Sequence, residues 1–297
     1  MHSFLLKPDY LPLFPVSTYE LAEFLAHRYE EGCGAATLAG IASAVAYGHK
    51  IRALPDPSGD FLIRQMLMGA RRLRPAQDTR VALSVSDLGR LCDALTLISI
   101  PVTERLAYRA IFTLAFFALL RPCEVVCGGN RHYLRFGGVC LNGDRLSISI
   151  PSSKTSSSPF TTQLVARPDI KECPVAAMRE FLRYRGSGSL QDACFITDNG
   201  RPITGNKLNR ILRQVGRLTG LEHGRLSAHC LRIGGASHGA DIGMSVLQLE
   251  QAGRWSSGAL RRYLRRPVSV LSVTPSGDWW FPRSVSAGPI TSIGASQ

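Results

Sequence analysis

The sequence predicts a mostly α-helical protein with a small antiparallel β-sheet, built as an N-terminal helical domain followed by a larger α+β domain. Three observations predict it. Apolar residues recur at helical spacing over most of the chain. Between Tyr133 and Val165 that period gives way to strand-like runs around an Asn142-Gly143 turn signal. The 297 residues suit two domains at roughly 100–200 residues each, and a chain that is 45% hydrophobic and 19% charged has enough apolar matter for real cores, which excludes disorder throughout. The expected boundaries are a helical domain over 1–75, a second domain over 76–267 and a C-terminal tail over 268–297.

Residues 1–15 hold three prolines and read as an irregular lead-in. Ser17-Thr18 can cap a helix carrying Leu21, Phe24 and Leu25. Ala35 to Lys50 gives a second helix, with Leu38, Ile41, Val45 and Tyr47 or Ala44 near one face. Ala53 to Asp60 is a turn, and Phe61 to Arg74 a third helix with a basic end. Pro75 to Leu83 is a plausible linker. Ser86-Asp87 is expected to cap a helix from Leu88 to about Leu97, and Thr103-Glu104 to open a strongly apolar helix running to Leu120. Tyr133–Leu141 and Leu146–Pro151 read as the arms of a hairpin. Ser152 to Pro159 is then a polar loop, and Phe160–Val165 a third strand. Helices resume over Val175–Tyr184, Gly205–Gly216, Ala228–Gly239, Val246–Gln251 and Gly258–Arg265, with Pro267 as the stop.

The net charge is +13 and the pI about 9.8. An excess of that size favours a polyanionic partner, nucleic acid before a membrane surface. Arginine dominates over lysine, which suits planar, bidentate phosphate recognition. The eight cysteines contain no CxxC pair. Cys123 and Cys127 lack a matching pair at zinc spacing, so buried free thiols are the expectation. The most apolar run, Ala110 to Leu120, is about half the length of a membrane span. The N-terminus lacks the charged start and long apolar run of a signal peptide. These features place the protein in an intracellular, reducing compartment with no membrane partner.

A chemical set is scattered along the second domain. Arg121 follows the apolar helix in Leu119-Leu-Arg-Pro-Cys-Glu124. Lys154 lies in the Ser-rich loop. His229 and Arg232 stand three apart, on one helical face. Trp255 sits in Gly253-Arg-Trp255, and Tyr263 lies among Arg261, Arg262, Arg265 and Arg266. Two guanidiniums can neutralise a phosphodiester and the further charge of its transition state. A tyrosine among cations can attack as it gains phenolate character, a lysine can protonate a leaving oxygen, and a histidine can shuttle a proton. Taken singly, each has a plainer reading. Arg121 could be a helix end paired to Glu124, Lys154 a solvated loop charge, and Tyr263 an inward-packed side of an amphipathic helix.

The order and spacing of these residues carry more than any one of them. From about Val81 to Arg266 the chain resembles the tyrosine recombinase (phage-integrase-like) family, and the helices from about Ser17 to Arg74 are similar to that family's core-binding domain. The phrase Ala228-His-Cys-Leu-Arg-Ile-Gly-Gly-Ala-Ser237 with Gly253-Arg-Trp-Ser-Ser257 looks most like members from eukaryotic mobile elements, the Crypton and DIRS types, rather than the Xer proteins of bacteria. The resemblance implies that Arg121 and Arg232 clamp a scissile phosphate in double-stranded DNA. It implies that Lys154 protonates the 5′ oxygen, His229 assists proton transfer, Trp255 buttresses or bonds the phosphate, and Tyr263 forms a 3′-phosphotyrosine. Glu124 would support the active-site arginine. The ester retains the energy of the broken bond, so neither a metal nor another cofactor is implied. The assembly implied is a DNA-clamping homo-tetramer on two sites, located in the nucleus if the host is eukaryotic. Many members carry His or Trp nine residues before the tyrosine. Here Arg254 holds that position and Trp255 the next, so either could fill the role. In the family a C-terminal segment often docks on a neighbouring subunit, and Trp279-Trp-Phe281 could be such an anchor or part of a self-packing tail. The alternatives are a catalytically inactive DNA-binding descendant, a type IB topoisomerase using the same chemistry, and a basic helical interaction module.

Overall fold

The computed structural model describes residues 14–75, 80–128, 133–152, 158–221, 226–255 and 258–264. The chain divides into two compact units, Met1–Asp78 and Thr79–Gln297.

In the smaller unit three helices share one apolar core: α1 (Thr18–Glu30), α2 (Ala35–Lys50) and α3 (Phe61–Leu73). Ser17 and Glu20 close a reciprocal capping box at the start of α1, satisfying donors that a helix terminus leaves open. Asp60 caps α3 through the Leu62 amide. Leu21, Leu25, Leu38, Ala42, Ile63 and Ala70 fill the centre. The face of α2 differs from the expected one. Leu38, Ala42, Ala46 and His49 are buried, whereas Tyr47 is 68% exposed. Tyr47 is nine residues from Leu38, half a turn away at about 100° per residue.

The larger unit is built around α5 (Val102–Phe117), whose Tyr108, Phe112, Phe116 and Phe117 are wholly covered. Against it pack α4 (Val85–Ala94), α7 (Pro174–Arg185) and α9 (Ala228–Asp241), while α8 (Gly205–Leu218) lies against α4 and α9. The short α6 (Pro122–Val125) follows α5, and α10 (Val246–Gly253) packs on α9. A three-stranded antiparallel sheet stands in the order β1 (Val139–Asn142), β2 (Arg145–Ile150), β3 (Phe160–Val165). Its buried side chains, Leu146, Ile148, Ile150 and Leu164, join the same core as α5. The described residues are thus mostly helical with one small antiparallel sheet.

Several local expectations are corrected. The cap of α4 is Ser84, not Ser86-Asp87; Asp87 instead closes the capping box from within the first turn. The hairpin turn is Gly143-Asp144, because Asn142 pairs with Arg145 and Gly143 takes the left-handed φ of 54°. Tyr133–Gly138 is not a strand. Phe136–Gly138 forms a 3-10 turn, and the chain at Gly138 runs so close to β2 that an added Cβ would lie 2.3 Å from the Ser149 carbonyl oxygen. In place of a helix over Gly258–Arg265, the described part holds only a 3-10 turn at Leu260–Arg262, entered through Gly258 at φ +80°; Arg265 lies outside the described residues. Cys92, Cys173, Cys194 and Cys230 are buried free thiols as expected, but Cys140 is exposed.

Among the described residues no helix is long and apolar enough to cross a membrane.

Candidate active site

The site begins where α5 ends. Leu119 turns left-handed at φ 49°, and Pro122 then starts α6 with Arg121 as its N-cap. Glu124, three residues on, folds back. Its Oε2 accepts from the Arg121 backbone amide at 2.7 Å and its Oε1 from Arg121 Nη1 at 2.8 Å. The Glu124 side chain is fully covered and that of Arg121 is 15% exposed. A charge buried so deeply persists only when paired, and the pairing fixes the direction of the Arg121 guanidinium.

Helix α9 is drawn onto this corner by two glycines. A Cβ on Gly235 would sit 2.0 Å from the Phe116 carbonyl oxygen, and one on Gly234 2.3 Å from that of Leu83. Only glycine permits so close a backbone approach. The approach brings Arg232 beneath the corner, where its Nη1 donates to the Leu119 carbonyl and its Nη2 to the Gly253 carbonyl. Arg232 is 0% exposed. Its guanidinium carbon lies 4.2 Å from the centre of the Trp255 ring and 5.5 Å from that of Tyr263. The two rings are 4.8 Å apart and inclined at 53°. They pack with Leu119, Met244, Leu249 and Leu260 in a small apolar cluster of their own.

The third arginine is Arg254, at the left-handed end of α10 (φ 54°, ψ 47°). Its Nη2 donates to Glu124 Oε2 at 2.7 Å. Its own carbonyl accepts from Arg121 Nη2 at 3.5 Å. Its guanidinium carbon stands 3.8 Å over the ring of Phe160, the first residue of β3. One carboxylate therefore serves two arginines, with a third alongside, and the cluster carries an excess of positive charge. Burial first, and then Arg254 and Arg121, push the Arg232 guanidinium down from its usual range, with Glu124 and Tyr263 acting in the opposite sense. A guanidinium keeps its proton through such penalties, so the cluster retains an excess of positive charge that favours an anion. Among the described residues Arg232 Nε, Arg254 Nε and Trp255 Nε1 are buried donors with no partner, the kind of group that a polar interior normally satisfies.

His229 lies in the first turn of α9, on the exposed side. The protein around it lowers its pKa from 6.5, chiefly by desolvation and then through Arg80, Arg232 and Arg121. The direction of the shift favours the neutral imidazole, the form that accepts a proton.

The structure thus gathers Arg121, Arg232, Trp255 and Tyr263 into one cluster with Glu124, and sets His229 within electrostatic reach of it. Lys154 lies outside the described residues. Arg254 and Trp255 take two distinct positions: Trp255 packs against Arg232 and Tyr263, while Arg254 pairs with Glu124. Phe160 and Leu119 were not legible as site residues, since one is an ordinary strand aromatic in sequence and the other acts through its carbonyl. Among the described residues no cluster of His, Cys, Asp or Glu could hold a metal ion.

No protein-family model matches the sequence, and no curated protein matches it. Solved structures do resemble the fold. The XerH site-specific recombinase bound to palindromic difH substrate in a post-cleavage complex is 16% identical with a TM-score of 0.56, over 85% of this chain and 67% of that one. A lambda integrase dimer bound to a COC′ core site is 17% identical at 0.57, over 84% of this chain and 65% of that one. The Tn1549 transposon integrase in complex with a circular intermediate DNA is 13% identical at 0.56, over 87% of this chain and 85% of that one. The chain spans about two thirds of the length of the first two. At these identities the likeness is one of architecture: the mostly helical chain with its three-stranded sheet has the fold of the tyrosine recombinases and integrases.

Proposed function

We propose that this protein cleaves and rejoins DNA strands through a 3′-phosphotyrosine intermediate formed on Tyr263. The observation that carries the reading is the placement of the Tyr263 ring against Arg232 in the same cluster as Arg121, Arg254 and Glu124. Two guanidiniums paired to one carboxylate, with a third alongside, leave the excess positive charge that a phosphodiester and its transition state require. Tyr263 Oη attacks phosphorus, the P–O5′ bond breaks, and the 5′ oxygen leaves as a hydroxyl. His229, whose lowered pKa favours the neutral imidazole, takes the phenolic proton, and Lys154 supplies the proton to the leaving oxygen. Attack by a 5′ hydroxyl of another strand reverses the step and exchanges strands. The bond energy is held in the ester, so the exchange needs no nucleotide hydrolysis.

The fold likeness to recombinases bound to DNA supports double-stranded DNA as the partner, and a net charge of +13 supports it independently. We read the biological setting as recombination of a mobile element of the Crypton or DIRS type, by a homo-tetramer on two DNA sites, in the nucleus of a eukaryotic host. The motif resemblance alone supports that setting. Phosphate contacts would supply most of the affinity and make it steeply salt-dependent.

A second reading, an inactive DNA-binding descendant, is favoured by one observation: Arg232 is fully covered by Trp255 and Tyr263. Turnover requires that cover to open on DNA. Covalent capture separates the two. Protein is incubated with a library of supercoiled and nicked duplex DNA, denatured, and the attached fragments sequenced. An adduct that Tyr263→Phe abolishes supports cleavage; salt-sensitive binding with no adduct supports the descendant.

A further inference from the structure

We propose that Arg254 is a positioning residue that sets the two phosphate-binding arginines, Arg121 and Arg232, in fixed relation to each other. The inference rests on the reading of the site given above. Two consecutive carbonyls hold the two guanidiniums: that of Gly253 accepts from Arg232 Nη2, and that of Arg254 from Arg121 Nη2 at 3.5 Å. The turn presenting them is left-handed at Arg254, with φ 54° and ψ 47°. Helices commonly end in this conformation, but with glycine at the left-handed position. Here the glycine precedes it and an arginine takes the less favourable backbone. Leu119, whose carbonyl holds the other side of Arg232, is a second non-glycine residue with positive φ. Backbone strain of this sort gathers at sites that depend on it.

The side chain explains why glycine does not occupy the turn. Arg254 Nη2 holds Glu124 Oε2 at 2.7 Å, while the other oxygen of the same carboxylate holds Arg121 Nη1 at 2.8 Å. Phe160 supports the Arg254 guanidinium from one side, its ring centre 3.8 Å from the guanidinium carbon. Arg121 is therefore located twice through one residue, once by the carbonyl and once by the carboxylate it braces. Arg232 is located by the carbonyl before it. The side chain does not need to touch DNA to act.

The test uses the full-length protein and three variants. R254G relaxes the turn while removing the guanidinium, so it retains the fold that R254A could strain. R254K keeps a charge for Glu124 but cannot lie flat on Phe160 or brace the carboxylate in a fork. Single-turnover adduct formation is measured on the duplex recovered from wild-type capture, with non-covalent affinity measured on the same duplex. Arginine side-chain NMR follows the rotation of the Arg121 guanidinium in the DNA-free protein. The expectation is cleavage about 10²-fold slower in R254G and R254A, affinity within about threefold of wild type, and partial recovery in R254K. Arg121 rotation becomes free in R254G. Wild-type cleavage by R254G, or affinity falling in step with rate, overturns the inference, the latter because it marks a direct phosphate ligand. Absence of an adduct from wild type would instead overturn the reading of Tyr263. The NMR arm then decides this inference alone, and unchanged Arg121 rotation in R254G overturns it.

Discussion

Arg232 lies against the face of Trp255, its guanidinium carbon 4.2 Å from the ring centre, and no part of it reaches solvent. The contact is a cation–π pair in a desolvated setting, where such pairs are strongest. It is also a cover, because the residue proposed to meet a phosphate is sealed by the side chain beside it. Cleavage at Tyr263 requires DNA to lift that seal. In a protein with Trp279 and Trp280 replaced by Phe, the fluorescence of Trp255 should shift to the red on binding duplex DNA. An unchanged spectrum with DNA bound would show that Arg232 stays covered. Trp255→Ala removes a buried aromatic and should cost about 3–5 kcal/mol in urea unfolding.

Glu124 tests the electrostatics of the corner. Its carboxylate is buried and paired with both Arg121 and Arg254. Removing one partner of a buried ion network leaves uncompensated charge, so Glu124→Ala should destabilise the larger unit by about 3–5 kcal/mol. Glu124→Gln keeps the shape and two acceptor lone pairs and should cost less. Equal stability of all three proteins in denaturant titration would mean that the network contributes nothing.

Gly235 tests the packing that builds the site. An added Cβ would stand 2.0 Å from the Phe116 carbonyl oxygen, which is rigid helix backbone. Gly235→Ala must push α9 away from α5 and should cost about 1–3 kcal/mol or more, as overpacking does. It should also draw Arg232 off the Leu119 carbonyl. A wild-type melting temperature would contradict the close approach.

Acid should weaken both fold and function. The pKa of His229 is lowered from 6.5, first by desolvation, and that of His238 likewise by burial, partly offset by Asp241. A histidine with a lowered folded-state value is protonated more readily in the unfolded chain. Its contribution is therefore flat above about 6.5 and turns unfavourable as pH falls through and below that value. Stability measured from pH 7.5 to 5 should decline, and His238→Asn should flatten part of the decline. The cleavage rate should fall over the same interval as neutral His229 is lost. A rate that rises toward pH 5 would remove His229 from the role of proton acceptor.

The fold was legible because its helices carry strong periodicity and clear caps. The span Ala35–Lys50 and the strand Phe160–Val165 were read to the residue. The errors arose where local signals compete. Ser84, Ser86 and Asp87 all suit a helix start, and only the reciprocal bonding of Ser84 with Asp87 decides between them. Asn142-Gly143 is a strong turn dipeptide, but strand pairing moved the turn by one residue. At the candidate site, order and spacing single out Arg121, Arg232, Trp255 and Tyr263, which the fold brings into one cluster. The carbonyls of Leu119, Gly253 and Arg254 could not be singled out, because backbone groups carry no sequence signature until the chain is folded. Nor could sequence distinguish Arg254 on Glu124 from Trp255 on Arg232, since adjacent residues differ only in the direction that the left-handed turn gives them.

The most direct measurement is identification of the residue joined to DNA. Wild-type protein trapped on duplex DNA is digested with nuclease and protease, and the linked peptide is sequenced by mass spectrometry beside a Tyr263→Phe control. The account predicts a single nucleotide-bearing peptide carrying the phosphate on Tyr263 through a 3′ ester, absent from the control. A linkage at another residue, or an adduct that persists in Tyr263→Phe, would contradict it.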